Sequence, residues 1–217
     1  FREKILPGAI LVRIANSHIR VGTFQYFAAR QMTKEIKILT DYIIKRNFQS
    51  LLSSKNIYEN FLLEIVKTQA DLISKWMSVG FIHGVMNTDN TCLSGETIDY
   101  GPCAFMDAFD YNKVFSSIDY QGRYSYKNQP NIMLWNLTRF AETILPLIDK
   151  DINKSIKKAE AILGEFAIFY ENNWISNMCL KLGIENHKKT DKVLIEGFLD
   201  LLHKQELDFN NSFYSLS

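Results

Sequence analysis

The spacing of apolar residues along the chain predicts a mainly helical protein. The clearest case covers residues 58–79, where apolar side chains recur every three or four positions and Gly80 follows as a stop signal. Pro130 suits a first helical turn, whereas Pro146 is expected to kink or shorten the helix that contains it. Helices are therefore expected through most of residues 23–80 and 131–207, with segments at about 23–32, 33–45, 58–79, 131–148, 155–182 and 191–207.

A β-strand is predicted ahead of the first helix, over residues 9–15. Ile10, Val12 and Ile14 would share one face of this strand, and the intervening residues would share the other. The change from a period of two to a helical period marks the boundary between the two elements.

Residues 81–103 interrupt the helical pattern with a short polar segment rich in Asn, Asp, Thr and Gly. Within it, residues 91–93 and 97–98 can form two short strands joined by a turn at 94–96. Such a hairpin would bring Asn90, before its first strand, next to Asp99, after its second. A helical body around one irregular segment predicts an α+β fold that is mainly α.

The polar segment is where we expect the chemistry. An amide oxygen from Asn90 and a carboxylate from Asp99 would suit magnesium, which takes one or two carboxylates and completes its octahedron with water and phosphate oxygens. Asp89 would stand beside the metal, free to act as a base, as in kinase-like enzymes. The alternative is ordinary turn chemistry, because Asn and Asp side chains bond their own backbone. A lone His83 is more often a structural hydrogen-bonding residue than a catalyst.

Two arginines form a second candidate cluster. If the chain turns at Asn16 and Ser17, the guanidinium groups of Arg13 and Arg20 can face one point and grip a phosphate in fork geometry. Taken alone, these two residues are better explained as members of two surface ion pairs.

Composition and charge narrow the classes of function. The chain has 217 residues, is 47% hydrophobic and carries 25 basic against 24 acidic side chains, so we expect a single domain over 1–217 with neither nucleic acid nor a membrane as partner. The three cysteines, Cys92, Cys103 and Cys179, form no CxxC pair, which favours a reducing compartment over a disulfide framework or zinc cluster. No apolar run approaches the length of a membrane span.

Five segments resemble the selenoprotein O family, in the order in which that family carries them. They are LPGAILVRIANSHIRVGTF at residues 6–24, HGVMNTDN at 83–90, TIDYGP at 97–102, DYQGRY at 119–124 and NQPNIMLWNL at 128–137. The segments are spread over residues 6–137, and runs of this length in this order make the resemblance highly specific.

The resemblance implies a protein-kinase-like fold, of which this chain would be the helical carboxyl-terminal lobe, and transfer of AMP from ATP to Ser, Thr or Tyr hydroxyls of proteins. It also implies that Asp89 accepts the proton, that Asn90 and Asp99 bind magnesium or manganese, and that Arg13 and Arg20, with Asp99, bind ATP. Related small-molecule kinases have His-Gly-Asp where this chain has Val85, and valine cannot take a proton.

Family members are roughly twice as long, and the glycine-rich phosphate-covering segment of their amino-terminal lobe is not among these residues. The chain also opens on Phe, so we expect it to begin inside a longer polypeptide in the cytoplasm, or in an organellar matrix if the source is eukaryotic. A kinase-like phosphotransferase and a catalytically inactive remnant or interaction module are the alternatives to an adenylyltransferase.

Overall fold

The computed structural model describes residues 7–186 and 188–216, and most of them lie in helices. A small antiparallel sheet accompanies the helices, so the predicted α+β, mainly α class is confirmed. The helices are α1 Val21–Ala28, α2 Thr33–Asn47, α3 Ile57–Val79, α4 Gln129–Ile148, α5 Ile152–Lys181, α6 Lys192–Lys204 and α7 Phe209–Tyr214, and the strands are β1 Phe81–Ile82 and β2 Ala104–Phe105.

The centre of the fold is α3, which packs against both α4 and α5. Its apolar stripe is fully buried, because side chains three and four positions apart lie on one face of a helix. The helix ends at Gly80, whose φ of +70° is in the left-handed region. A Cβ at this position would lie 2.8 Å from the ring of Phe209, so the packing of α7 also requires glycine there.

Three aromatic rings join the helices on one side of the core. Phe24 of α1 and Phe140 of α4 meet edge to face with ring centroids 5.0 Å apart, and Phe61 of α3 approaches the same Phe140 ring at 6.0 Å. Such contacts add to the stabilisation that burial of the rings provides. They fix α1 against the main helical body.

The two strands hold the polar loop, residues 83–103, at the end of α3. Phe81 pairs with Phe105 and Ile82 with Ala104 in antiparallel register, so both ends of the loop leave the same short ladder. The buried Gln129 side chain at the start of α4 donates to the Phe81 carbonyl at 2.9 Å and accepts from the His83 amide at 3.0 Å. The loop is therefore tied to α4 as well as to α3.

The helices expected from the apolar pattern are confirmed. Pro146 lies inside α4, which continues to Ile148, so the proline does not shorten the helix. The short helix α7 was missed, and it buries Phe209 and Phe213. None of the described helices is both long and apolar enough to cross a membrane. The single domain over 1–217 stays a prediction, and residues 1–6, 187 and 217 of it lie outside the described residues.

The prediction of a strand over residues 9–15 was wrong. These residues have no regular secondary structure, and the side chains of Ile10, Leu11, Val12 and Ile14 are 77–94% exposed. A strand is stabilised by hydrogen bonds to a neighbouring strand, and the described part of the chain supplies none beside this segment. Period-two spacing reports only which side chains would share a face, and it carries no information about a partner.

Candidate functional site

The predicted hairpin within the polar loop is present, but it is shorter than expected. Thr91 and Thr97 form one antiparallel bridge, and the Gly95 amide donates to the Cys92 carbonyl at 3.2 Å across the turn. Gly95 has a φ of +71°, and a Cβ there would lie 2.3 Å from the Thr68 side chain. The turn therefore depends on glycine, while the two predicted strands shrink to a single bridged pair.

The segment before α1 pairs with the first arm of this hairpin. Arg20 bridges Cys92, the Val21 amide donates to the Thr91 carbonyl at 3.0 Å, and the Leu93 amide donates to the Ile19 carbonyl at 3.0 Å. Arg20 and the end of the polar loop that contains Asp89 are consequently neighbours. This pairing was not predicted from the sequence.

Asp89 lies against the start of α1. Its backbone carbonyl accepts a hydrogen bond from Nη1 of Arg20 at 3.2 Å, and its exposed carboxylate packs on the α-carbon of Gly22. A Cβ at Gly22 would lie 2.1 Å from Asp89 Oδ1, so only glycine leaves room for the carboxylate in this position. Gly22 was not among the residues predicted from the sequence to belong to the site.

Asn90 is held by its amide nitrogen. Nδ2 donates to the Val85 carbonyl at 2.9 Å, and the backbone amide donates to the Asn87 carbonyl at 3.1 Å. Because Nδ2 is engaged in this way, the side-chain oxygen Oδ1 is directed away from Val85. Oδ1 is the atom of Asn90 that can serve as a ligand or an acceptor.

His83 connects the beginning of the polar loop to its end. The ring is fully buried and stacks on Trp76 with centroids 5.5 Å apart. Nε2 donates to the Ile98 carbonyl at 2.7 Å, and Nδ1 accepts from the Val85 amide at 3.3 Å. A neutral imidazole protonated on Nε2 satisfies both bonds. The position agrees with a structural role for His83, and it anchors the residue that precedes Asp99.

Burial lowers the pKa of His83 below its ordinary value of 6.5, because the imidazolium is poorly solvated there. As the pH falls below 6.5, the unfolded chain takes up a proton that the folded protein refuses. We therefore expect the free energy of unfolding to decrease as pH falls from 6.5 towards the lowered pKa, with a slope of up to about 1.4 kcal/mol per pH unit.

Urea unfolding at a series of pH values measures this slope, and His83→Gln should reduce it. The same substitution at the exposed His18 is the matched control. An unchanged slope in His83→Gln would show that other groups cause the acid sensitivity.

Asp99 adopts an unusual backbone conformation. Its φ is +57°, in the left-handed region that asparagine and aspartate tolerate better than most other residues. Its side chain is exposed, and the preceding Ile98 is held by His83. Backbone strain of this kind is often found at functional sites, where the surrounding structure maintains it.

The turn between the two arginines rests on the turn of the hairpin. The chain bends at Asn16, and the Asn16 amide donates to both carboxylate oxygens of Glu96, at 3.1 and 3.0 Å. The Asn16 side chain and the Ser94 hydroxyl also donate to Glu96, at 3.2 and 2.6 Å. Burial would raise the pKa of Glu96, but these hydrogen bonds favour the carboxylate and hold that pKa below its usual range.

The two arginines contact the polar loop on either side of its hairpin. The guanidinium of Arg13 lies 3.9 Å from the ring centroid of Tyr100, next to Asp99, whereas Arg20 bonds the backbone of Asp89. The alternative of two surface ion pairs does not fit, because neither arginine has a carboxylate within 4.0 Å among residues 7–186 and 188–216. Their role as phosphate ligands stays a prediction.

The chain is similar in sequence to a known protein family over nearly its whole length. The sequence profile of the family described as "Protein adenylyltransferase SelO" matches residues 2–217. Proteins named "Protein nucleotidyltransferase YdiU" match the full chain: 54% identity over 216 residues in Clostridium perfringens strain SM101, 55% over 216 in Clostridium beijerinckii and 52% over 217 in Bacillus cytotoxicus. The chain spans 44% of the length of each of these relatives.

Proposed function

This chain belongs to the SelO family of protein adenylyltransferases, whose relatives are named protein nucleotidyltransferases, and from that premise we propose that it supplies the catalytic and metal-binding residues of an ATP site that transfers AMP to Ser, Thr or Tyr hydroxyls of proteins. The chain would act as part of a longer protein, since its relatives are more than twice its length. We propose the reducing cytoplasm as its location, in keeping with the three free cysteines.

This proposal depends on one observation: the two arms of the hairpin within the polar loop are paired with each other. The Thr91–Thr97 bridge sets an antiparallel register, and continuing it by one step sets Asn90 opposite Ile98, the residue before Asp99. The hydrogen bond from His83 to Ile98 supports the same arrangement. These contacts favour a shared site for Asn90 and Asp99, near Asp89.

The two residues fit a magnesium ion. Within the described chain no group of three or more His, Cys, Asp or Glu side chains could hold a metal, so a site here would have few protein ligands. Magnesium suits such a site because it keeps several waters and shares phosphate oxygens with the nucleotide. Oδ1 of Asn90 and the exposed carboxylate of Asp99 would hold magnesium, or manganese in its place. When bound, the ion would offset negative charge on the ATP phosphates.

The remaining residues have separate roles in the proposed transfer. Arg13 and Arg20 would bind phosphate oxygens of ATP and so orient the leaving pyrophosphate. The acceptor hydroxyl forms a bond to the α-phosphorus as the bond from that phosphorus to the pyrophosphate breaks. Asp89 takes the hydroxyl proton, a contribution typically worth about 10²–10⁴-fold in rate. Charge stabilisation by the arginines and the metal adds to this acceleration.

A protein-kinase-like arrangement is part of the same proposal. A long helix, a polar loop containing Asp89 and Asn90, a hairpin turn and an Asp-x-Gly sequence follow one another in the order found in kinase-like enzymes. Val85 contributes no proton acceptor at the position two residues after His83, and this favours AMP transfer over transfer of the terminal phosphate.

Labelled ATP distinguishes the two reactions in the full-length protein. With magnesium present, label on the α-phosphate should appear on a protein acceptor, and label on the γ-phosphate should remain in solution. Transfer of the γ-label would establish a kinase instead. Transfer of neither label, with the protein folded and ATP present, would favour the interaction-module alternative.

A further inference from the structure

A cleft of about 390 Å³ opens beside the polar loop. One wall is Val85, and most of the other lining residues belong to the segment between β2 and α4. Ile118 and Tyr120 lie at this cleft with side chains that are 77% and 91% exposed. The cleft therefore combines apolar surface with open access from solvent.

Val85 connects the cleft directly to the proposed active site. Its side chain lines the cleft, and its backbone carbonyl accepts the 2.9 Å hydrogen bond from Nδ2 of the Asn90 side chain. Its own amide donates to Nδ1 of His83. A molecule in the cleft would therefore contact Val85, which is itself hydrogen-bonded to the Asn90 side chain proposed to bind the metal.

Arg123 supplies a positive charge at the cleft that no carboxylate neutralises within 4.0 Å among the described residues. Its guanidinium lies 5.0 Å from the ring centroid of Trp135 and 5.7 Å from that of Tyr124. Contacts of this type attract a cation to the ring face while leaving its hydrogen-bond donors available. The group is thus held in place and is ready to receive a carboxylate.

The carboxylate of Asp119, the acidic residue at the cleft, already accepts hydrogen bonds from its own loop. Asp119 accepts hydrogen bonds from the backbone amides of Arg123 and Tyr124 at 2.9 and 2.8 Å. These bonds direct the carboxylate into its own turn, where it stabilises the loop that carries Arg123. Arg123 is therefore the charged side chain at this cleft that can select a ligand.

We propose that this cleft holds the polypeptide acceptor and favours segments that carry a carboxylate side chain close to the hydroxyl that receives AMP. This inference rests on the proposed function for the identity of the reaction. The selection itself comes from Arg123, while Ile118 and Tyr120 contact apolar parts of the acceptor. A small acceptor molecule would not need an open cleft with exposed apolar walls, whereas an extended peptide would.

The test uses the full-length protein and three short serine peptides that differ only in having Asp, Ala or Lys beside the serine. Fluorescence anisotropy without ATP measures peptide binding, and AMP transfer to each peptide is measured separately. We expect the Asp peptide to bind about fivefold more tightly than the Ala peptide, which equals about 1 kcal/mol, the upper range for an exposed ion pair. The Lys peptide should bind more weakly than either.

Arg123→Gln should remove the preference for Asp, and Arg123→Glu should invert it in favour of the Lys peptide. Arg139→Gln is the matched control, because Arg139 lies 5.5 Å from the same Trp135 ring but is paired with Glu142 and is absent from the cleft lining. That variant should keep the wild-type preference. Binding of ATP should be unchanged in all three variants.

Equal binding of the three peptides to the wild-type protein would overturn the inference, as would a preference that survives Arg123→Glu. A preference for Asp in binding, combined with no AMP transfer to any peptide, would support selection at the cleft and overturn the proposed reaction. The two readouts therefore separate failure of the cleft from failure of the proposed function.

Discussion

Asp99→Asn is expected to reduce AMP transfer by the full-length protein by at least about a thousandfold, because it removes the one carboxylate proposed for the metal, and charge stabilisation by a metal is worth several kcal/mol. Asparagine is chosen because it tolerates the φ of +57° at this position. Alanine would add backbone strain there and so confuse two causes of inactivity. The measurement is the rate of transfer of α-labelled AMP at saturating magnesium.

Asp99→Gly is the companion variant, since glycine adopts the same conformation without strain. It should be as inactive as Asp99→Asn if the carboxylate is what matters. Asp107→Ala, at another exposed aspartate beyond the polar loop, should retain activity. Substantial AMP transfer by either Asp99 variant, with an unchanged requirement for magnesium, would exclude Asp99 as the metal ligand.

Asp89→Asn should lower kcat for AMP transfer by about 10²–10⁴-fold, the usual contribution of a general base. Binding of ATP should be little affected, because a base acts on the transition state more than on the bound nucleotide. The backbone bond from Arg20 to Asp89 does not involve the side chain, so the substitution leaves that contact intact. Rapid single-turnover measurements and equilibrium ATP binding separate the two effects.

Gly22→Ala offers an independent approach to the same residue. The added methyl group would lie 2.1 Å from Asp89 Oδ1, so the carboxylate must move while remaining present. We expect kcat to fall without loss of ATP binding. Alanine also stabilises a helix relative to glycine, by up to about 1 kcal/mol.

For the Asp89→Asn variant, the contradicting outcome is loss of ATP binding with kcat unchanged. Asp89 would then be a nucleotide or metal ligand and not the base.

The helices were predictable because their signal is local. Side chains three and four positions apart determine which face of a helix is apolar, and Gly80 stops α3 through its own backbone preference. Strands depend on partners that are distant in sequence. The pairing of Phe81 with Phe105 was therefore missed, and the strand over residues 9–15 was predicted wrongly.

The candidate site shows the same division between local and distant information. Turn residues in the polar loop indicated a hairpin at 94–96, and the structure contains a bridge at Thr91 and Thr97. The supporting residues were not found, because their importance arises from contacts across the fold. Glu96 holds Asn16 from 80 positions away, and Gly22 makes room for Asp89.

By itself, the sequence determined the helical body, the position of the polar loop between α3 and α4, and the family to which the chain belongs. Only the tertiary structure decided which groups surround the loop. It set Arg20 beside Asp89, placed Arg13 on Tyr100 and left Arg123 at an open cleft without a carboxylate partner among the described residues. Helical periodicity is encoded in neighbouring residues, whereas these contacts exist only once packing of the helices has brought distant segments together.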